Sequence, residues 1–350
     1  MALCRAIKEG KTLDEIKRIV SASSTVSVVV NEKTKTGNWR KVKGRNMEKP
    51  WGANTPLHYA AKRGDPAIVE FLLAAGAKAE KRNAQGKTSL MKCRTSLRCA
   101  ELLVNAGANV NAISFPWKGG SYEADLFGNL ERNEAGSTGV SPLYEIVGKG
   151  SGEELGALVD FLLRRGASPN FSVIREWEVH YVTTDEIQQT THTPFSEAIE
   201  RGVPIRIIRS MLEQGATDVK RNKFNRHDFK PLLFHAADIN VVELLLDFGF
   251  DPNVQTTVPR YGYGGYQQIS ILQDVDDKNS KRTDSCHKIA KLLISRGAKL
   301  DFVAKSPYVM KKRVQKLAND ITSKASAAAV AAAAASSSPC RLCGQKRPRN

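Results

Sequence analysis

The first residue that could do chemistry is a histidine in the stretch NTPLHYAAKRGD, residues 54–65. A histidine works as a general base or a metal ligand when a Cys, Asp or Ser lies at a suitable spacing. No such residue recurs around His58. Later stretches of the same pattern place unrelated side chains at the equivalent position: Met91, Tyr144, Ser196 and Leu233. Because these positions share no chemistry, we interpret His58 as a structural residue.

The second candidate is the pair Cys340 and Cys343 in CRLCGQKRPRN. The C-x-x-C spacing can place two thiolates on one zinc ion, but a closed site needs four ligands and none follows before Asn350. The pair therefore predicts half a metal site, which a second chain or a longer form would have to complete. The other cysteines are scattered at positions 4, 93, 99 and 286, which favours reduced thiols over a disulfide framework.

Other catalytic signatures are missing from the sequence. The stretch YGYGG, residues 261–265, lacks the Lys-Ser/Thr ending of a phosphate-binding loop. The sequence also contains no metal triad and no nucleophile–base pair. We therefore expect no enzymatic activity and no cofactor.

The elements around His58 have the pattern of a helical hairpin. Thr55 can cap a helix and Pro56 suits its first turn, while Gly64 can end it in the left-handed conformation. A second apolar stripe follows and ends at Gly76. A single hairpin of this kind cannot bury its apolar face alone, so it predicts stacked neighbours.

The neighbours are visible as repeats of the second-helix ending. FLLAAGA, LLVNAGA, FLLRRGA, MLEQGA, LLLDFGF and LLISRGA carry the glycines 76, 107, 166, 215, 249 and 297. With TPLHYAA and GANVNA, these stretches resemble the ankyrin repeat over about residues 51–301. The resemblance implies an all-α solenoid of stacked helix-turn-helix units with extended finger loops, some of them inserted β-hairpins. It also implies that the His58 imidazole hydrogen-bonds the backbone of adjoining turns.

Both ends of the chain depart from the repeat pattern. We expect residues 1–50 to hold a degenerate capping repeat and a basic hairpin insertion, because β-branched alternation after Ser23 precedes a Gly-Asn turn. The repeat array then covers residues 51–304. We expect a capping helix over residues 305–324. Residues 325–350 are expected to form an Ala/Ser tether that carries the C-x-x-C pair and a basic tail.

We call the six glycines that end the second helices the stop glycines. Their spacing along the sequence shows where the unusually long loops lie. The steps are 31, 59, 49, 34 and 48 residues, against about 33 in the family. The short first step predicts a stunted first helix near MKCRTSLRC. The long steps predict enlarged finger loops near 112–138, 171–190 and 252–268. Aromatic residues in these loops are the expected partner contacts, since Tyr and Trp dominate binding hot spots: Trp117, Tyr122, Trp177, Tyr181, Tyr261, Tyr263 and Tyr266. The alternative, which stays open for Trp117 and Trp177, is that the rings pack the long loops onto the concave face.

Charge is unevenly distributed along the chain. Of the net +17, residues 1–50 contribute 12 basic and 5 acidic side chains and residues 302–350 contribute 10 and 1, whereas residues 101–200 hold 6 and 15. Basic ends around an acidic middle argue against a continuous phosphate-binding stripe. No apolar run is long enough for a membrane span, and MALCRAIKEG lacks a signal-peptide core. The sequence therefore predicts a location in the cytoplasm or the nucleus.

The sequence favours a non-catalytic scaffold that binds another protein, of unknown identity, through the concave groove and the aromatic finger loops. One alternative is a substrate-recognition subunit of a ubiquitin-ligase-type complex. The other is a nucleic-acid-associated protein that uses its basic termini.

Overall fold

A computed structural model describes residues 2–34, 36–37, 41–42, 45–46, 51–94, 96–118, 134–150, 154–180, 185–218, 231–259, 266–272, 283–299, 319 and 323. The chain forms two compact units. The first comprises Met1–Leu244 and Thr256–Gln267, and the second comprises Leu245–Gln255 and Gln268–Asn350. The predicted capping helix at 305–324 and the tail at 325–350 lie outside the described residues, apart from Asn319 and Ser323.

Helical hairpins follow one another along the first unit. The hairpins are α1 (Ala2–Lys8) with α2 (Leu13–Ser21), followed by a short helix α3 (Val26–Asn31); α4 (Pro56–Arg63) with α5 (Pro66–Ala74); a 3-10 turn (Leu90–Lys92) with α6 (Leu97–Asn105); α7 (Pro142–Lys149) with α8 (Glu154–Arg164); and α9 (Pro194–Glu200) with α10 (Ile205–Glu213). Beyond these lie a second 3-10 turn (Leu232–Phe234), α11 (Ile239–Asp247) and α12 (Thr283–Ser295).

The first helices of successive hairpins stack in one row and the second helices in another. α1 packs on α4, α4 on the Leu90–Lys92 turn, that turn on α7, and α7 on α9. In the second row α2 packs on α5, α5 on α6, α6 on α8 and α8 on α10. The core lies between these rows. Equivalent positions of the first-helix row are completely buried at Leu57, Leu90, Leu143, Phe195 and Leu232.

The stop glycines behave as the sequence predicted. All six have a left-handed backbone, with φ between 79° and 89°. Only glycine adopts this conformation without strain, so each second helix ends there.

Asparagine side chains link successive hairpins, a feature that the sequence analysis did not predict. Each Nδ2 donates to the carbonyl of a stop glycine in the following hairpin at 2.8–3.3 Å, and each Oδ1 accepts from the amide two residues after that glycine at 2.6–3.0 Å. The four residues are Asn31, Asn111, Asn170 and Asn253. At the Gly107 unit, Glu80 instead accepts from the Asn109 amide at 2.9 Å. These bonds satisfy helix-end backbone groups.

Strands occur in the loops between hairpins. β1 (Thr36–Gly37) pairs with β4 (Trp51–Gly52) and β2 (Lys41–Val42) with β3 (Arg45–Asn46), while β9 (Gln255–Pro259) and β10 (Tyr266–Ser270) form a further two-stranded sheet. β5 (Trp117–Lys118), β6 (Glu134–Ser137), β7 (Val173–His180) and β8 (Asp185–His192) form one antiparallel sheet in that order. Since β6 pairs with β7, two separate finger loops share one sheet.

The expectation of a hairpin beginning just after Ser23 was wrong in its first part. Residues Val26–Asn31 form α3, although their β-branched alternation predicted a strand. The helical turn packs against α2 and α4, buries Val30 completely and brings Asn31 to the Gly76 carbonyl. Tertiary packing thus overrides the weak β-propensity of a six-residue stretch.

Candidate protein-binding surface

His58 belongs to the scaffold. Its Nδ1 accepts from the backbone amide of Thr55 at 3.2 Å and contacts the Thr55 hydroxyl at 2.8 Å. Its Nε2 lies 2.8 Å from the Lys87 carbonyl, which can only accept, so Nε2 carries the proton. This confirms the expected bonding to an adjoining turn. Burial lowers the pKa of His58 to about 4, so the imidazole is neutral near pH 7.

The next unit lacks this arrangement. Met91 occupies the position of His58, and the first helix is reduced to the Leu90–Lys92 turn, as its short spacing predicted. Thr88 stands where Thr55 stands one unit earlier. Among the described residues, the buried hydroxyls of Thr88 and Ser89 have no hydrogen-bond partner. Without an imidazole at Met91, the polar groups that begin this helix are not satisfied.

A cluster of amines surrounds this shortened helix. Glu145 on α7 is nearly buried, with 8% side-chain exposure, and forms ion pairs with Lys87 and with Lys149, the latter at 2.5 Å. Lys92, at the end of the turn, is half-buried. Lys62 on α4 also acts electrostatically on Lys92. We call Lys62, Lys87, Lys92 and Lys149 the amine cluster.

The lysines of the amine cluster repel one another and attract Glu145. Burial and then the charge of Lys87 lower the pKa of Lys92 to about 8. Burial alone would raise the pKa of Glu145, but the charges of Lys87 and Lys149 outweigh burial and hold that pKa below its usual value. Among the described residues, Glu145 pairs with Lys87 and Lys149 while Lys92 lies beside them, so a further anionic group would be attracted to the cluster.

A second exposed feature lies at the base of the first enlarged loop. Phe115 is 52% exposed and Ile113 is 42% exposed, both unusually high for large apolar side chains. The Phe115 amide donates to the Gln85 carbonyl at 3.0 Å, and the Arg82 guanidinium lies 5.9 Å from the Phe115 ring centroid. Arg82 also donates to the Ile113 carbonyl. These contacts fix the backbone that presents both side chains.

Two glycines permit this close packing of the loop base. A Cβ at Gly86 would clash with the backbone nitrogen of Phe115, and one at Gly139 would clash with the Ser114 carbonyl. Both glycines also have positive φ values. Ser114 and Val140 further join the two ends of the loop, since the Ser114 amide donates to the Val140 carbonyl at 3.0 Å and the Ser114 hydroxyl accepts from the Val140 amide at 2.9 Å. The loop base is therefore held at a fixed position.

The structure places only some of the predicted contact residues. Trp117 lies on β5 and Trp177 on β7, so both belong to the shared four-stranded sheet with one strand between them. Tyr266 begins β10. The remaining predicted contacts lie outside the described residues: Tyr122, Tyr181, Tyr261 and Tyr263. The predicted metal ligands Cys340 and Cys343 also lie outside them.

Sequence reasoning missed the amine cluster. The lysines come from three hairpins and are separated by up to about ninety residues, so no local motif marks them. One sequence feature could have pointed to it: the shortened repeat has methionine at position 91, where the preceding repeat has His58. Departures from a repeat pattern often occur at functional sites.

Three of the cysteines are free and buried in the first unit: Cys4, Cys93 and Cys99. Burial raises the pKa of Cys4 to about 11 and also raises those of Cys93 and Cys99. Thiolates are the reactive form, so these thiols are weak nucleophiles at neutral pH. Among the described residues, no helix is long and apolar enough to cross a membrane.

Comparison with known proteins agrees with this architecture. Residues 3–114 match the family model for ankyrin repeats in 3 copies. No curated protein matches the chain. The crystal structure of the human ASB11 ankyrin repeat domain is similar to it, with a TM-score of 0.50 and 17% sequence identity over 85% of this chain and 99% of that one. At this identity the likeness concerns the fold alone. The matched repeats and the stacked helical hairpins show that this chain carries ankyrin repeats and has the all-α ankyrin repeat fold.

Proposed function

We propose that this chain is a non-catalytic scaffold that binds another protein, and that the partner presents an acidic segment to the first-helix row. Ankyrin repeats generally mediate protein–protein interaction. The observation that carries the proposal is the amine cluster around Glu145, with four amines and one carboxylate.

The state of Lys92 supports a binding role for this cluster. A lysine with its pKa lowered to about 8 by burial and by Lys87 destabilises the free protein whenever it is charged. A partner carboxylate beside it would offset that cost and gain a charge-assisted hydrogen bond. Groups held in unfavourable states in this way are common at functional sites.

A protein partner fits the cluster better than a nucleic acid does. A nucleic acid needs many successive phosphate contacts, whereas residues 101–200 carry 15 acidic against 6 basic side chains. A continuous basic stripe, which nucleic-acid backbones require, is absent from this segment.

The base of the first enlarged loop would supply apolar contact area to the partner. Phe115 and Ile113 are exposed on a backbone fixed by Arg82 and Gly86. A rigid aromatic anchor binds with little loss of entropy. The tyrosines at 261 and 263 remain predicted contacts of the same kind.

Capture from a cell lysate by the immobilised chain tests the proposal, with the double variant Lys92→Gln and Lys149→Gln compared with Lys8→Gln and Lys78→Gln. The control lysines are exposed and lie outside the amine cluster. We expect the first variant to lose its captured proteins at least about tenfold, which corresponds to roughly 1.4 kcal/mol, while the control retains them. Equal capture by both variants, or capture of nucleic acid that nuclease removes, would contradict the proposal.

The ubiquitin-ligase alternative gains no support from the likeness to the ASB11 domain, which concerns the fold alone. A location in the cytoplasm or the nucleus likewise stays a prediction.

A further inference from the structure

We propose that the first-helix row carries a binding site for a divalent transition-metal ion, with zinc as the best fit, formed by His192, Glu197, Glu200 and His235. We call these four residues the His–Glu cluster. It lies in the first unit and shares no residue with the amine cluster.

The fold brings these residues together from two successive repeat units. His192 ends β8 and directly precedes Thr193, the N-cap of α9. Glu197 and Glu200 are three residues apart on α9 and therefore lie on one side of that helix. His235 directly follows the 3-10 turn Leu232–Phe234 of the next unit.

The distances suit a shared ion. Nδ1 of His192 lies 3.8 Å from Oε1 of Glu200, and Nδ1 of His235 lies 3.6 Å from the same oxygen. One ligand atom each from His192, Glu197 and Glu200 can be chosen so that all lie within 4.8 Å of one another. Tetrahedral zinc with bonds of about 2.0–2.1 Å separates its ligand atoms by roughly 3.3–3.5 Å. His192, Glu197 and Glu200 would therefore bind one ion after approaching one another by up to about 1.5 Å, and His235, beside Glu200, would supply the fourth ligand after a side-chain movement.

The donor set favours zinc over calcium or magnesium. Two imidazoles and two carboxylates match the nitrogen and oxygen ligands of zinc, whereas the harder ions prefer oxygen alone. The side chains of His235 and Glu200 are 28% and 31% exposed, so an ion can reach the cluster from solvent past them, whereas His192 Nδ1 is buried. Two carboxylates held this close together also favour a cation between them.

Neighbouring groups orient the ligands. The Tyr144 hydroxyl on α7 donates to Oε2 of Glu197 at 3.1 Å. Thr193 and Ser196 form a reciprocal capping box that fixes the start of α9 next to His192. Such supporting bonds typically tune metal affinity by about 10–100-fold. Tyr144 is therefore a positioning residue for the site.

A bound ion would join α9 to a unit whose first helix is only a 3-10 turn. Because the ion would bind the folded array and not the unfolded chain, it would raise the thermal midpoint of the protein. We therefore expect the site to stabilise the array at a point where helix packing is reduced.

The test uses the full chain with Cys340→Ser and Cys343→Ser, so that the tail cannot contribute thiolate ligands. After removal of metal with a chelator, zinc is titrated by calorimetry, and cobalt is used as a spectroscopic probe. Glu200→Gln and His235→Gln remove ligands, Tyr144→Phe removes the positioning bond, and Glu213→Gln on α10 is the matched control. Circular dichroism verifies that each variant is folded.

We expect one zinc ion per chain, a rise in thermal midpoint on the order of 5 °C, and a cobalt spectrum without a thiolate charge-transfer band. Affinity should fall at least about tenfold in Glu200→Gln and in His235→Gln, fall less in Tyr144→Phe, and stay unchanged in Glu213→Gln. The proposal is overturned if the folded chain binds no zinc below about 100 µM, which would leave a plain histidine–carboxylate ion pair, or if both ligand variants bind zinc as before.

Discussion

Two neighbouring repeats, residues 54–83 and 87–112, follow one pattern, but the second is shorter and has Met91 where the first has His58. In the first repeat the imidazole bonds Thr55 and the Lys87 carbonyl, and the first helix runs from Pro56 to Arg63. In the second, the helix shrinks to a three-residue turn and, among the described residues, the buried Thr88 hydroxyl has no partner.

The two repeats nevertheless bury equivalent leucines, Leu57 and Leu90, completely. Apolar packing therefore maintains the stack of repeats even where the first helix is shortened to a 3-10 turn. The polar groups differ: in the first repeat they hydrogen-bond the backbone, whereas the shortened first helix of the second repeat ends at a half-buried lysine, Lys92.

The largest expected effect comes from giving the first repeat the residue of the second, His58→Met. It should lower the free energy of unfolding at pH 7 by about 3 kcal/mol, because Thr55 and the Lys87 carbonyl lose their buried partner. Chemical denaturation measures the change. A loss below about 0.5 kcal/mol would show that the imidazole is not what separates the two repeats.

The same variant should alter the pH dependence. His58 has its pKa lowered to about 4 by burial, whereas its unfolded value is near 6.5, so its contribution to stability is complete above pH 6.5 and lost as pH falls towards 4. Between pH 7 and 5 the native chain should lose roughly 2 kcal/mol through this group. This part of the loss should be absent in the methionine variant.

A smaller effect of opposite sign is expected from Lys92→Met. The folded pKa of Lys92 is about 8, so the charged amine destabilises the protein below pH 8. The variant should gain about 2 kcal/mol at pH 7, and the gain should shrink as pH rises from 8 towards 10.5, where the unfolded lysine also becomes neutral. Urea unfolding at pH 7 and 10 tests both points. A variant no more stable than the native chain would remove Lys92 as a destabilised binding group.

The smallest effects should come from valine at the two equivalent threonines. Thr55→Val removes a helix cap and its bond to His58, and should cost about 1 kcal/mol. Thr88→Val replaces a buried hydroxyl that has no partner among the described residues, and should gain up to about 1 kcal/mol. Thermal melts of the two variants should therefore move in opposite directions, and shifts of the same sign would show that the repeats do not differ as described.

The helix boundaries of the repeats could be predicted from residues close together in the sequence. Helix caps, stop glycines and apolar stripes depend on neighbours three or four residues away, which explains why the six glycines and the stunted helix near Met91 could be located. The helix Val26–Asn31 could not be, because its valines favour strands and only docking against α2 and α4 decides otherwise.

The sequence by itself determined the repeat fold of this protein, since its hairpins carry helix start and stop signals and an apolar stripe that must be buried. Only the tertiary structure decided which polar side chains meet. The amine cluster, the His–Glu cluster and the sheet shared by two loops each join residues from different repeats. Their assembly depends on stacking, because charges and strands distant in the chain interact only once packing has placed them side by side.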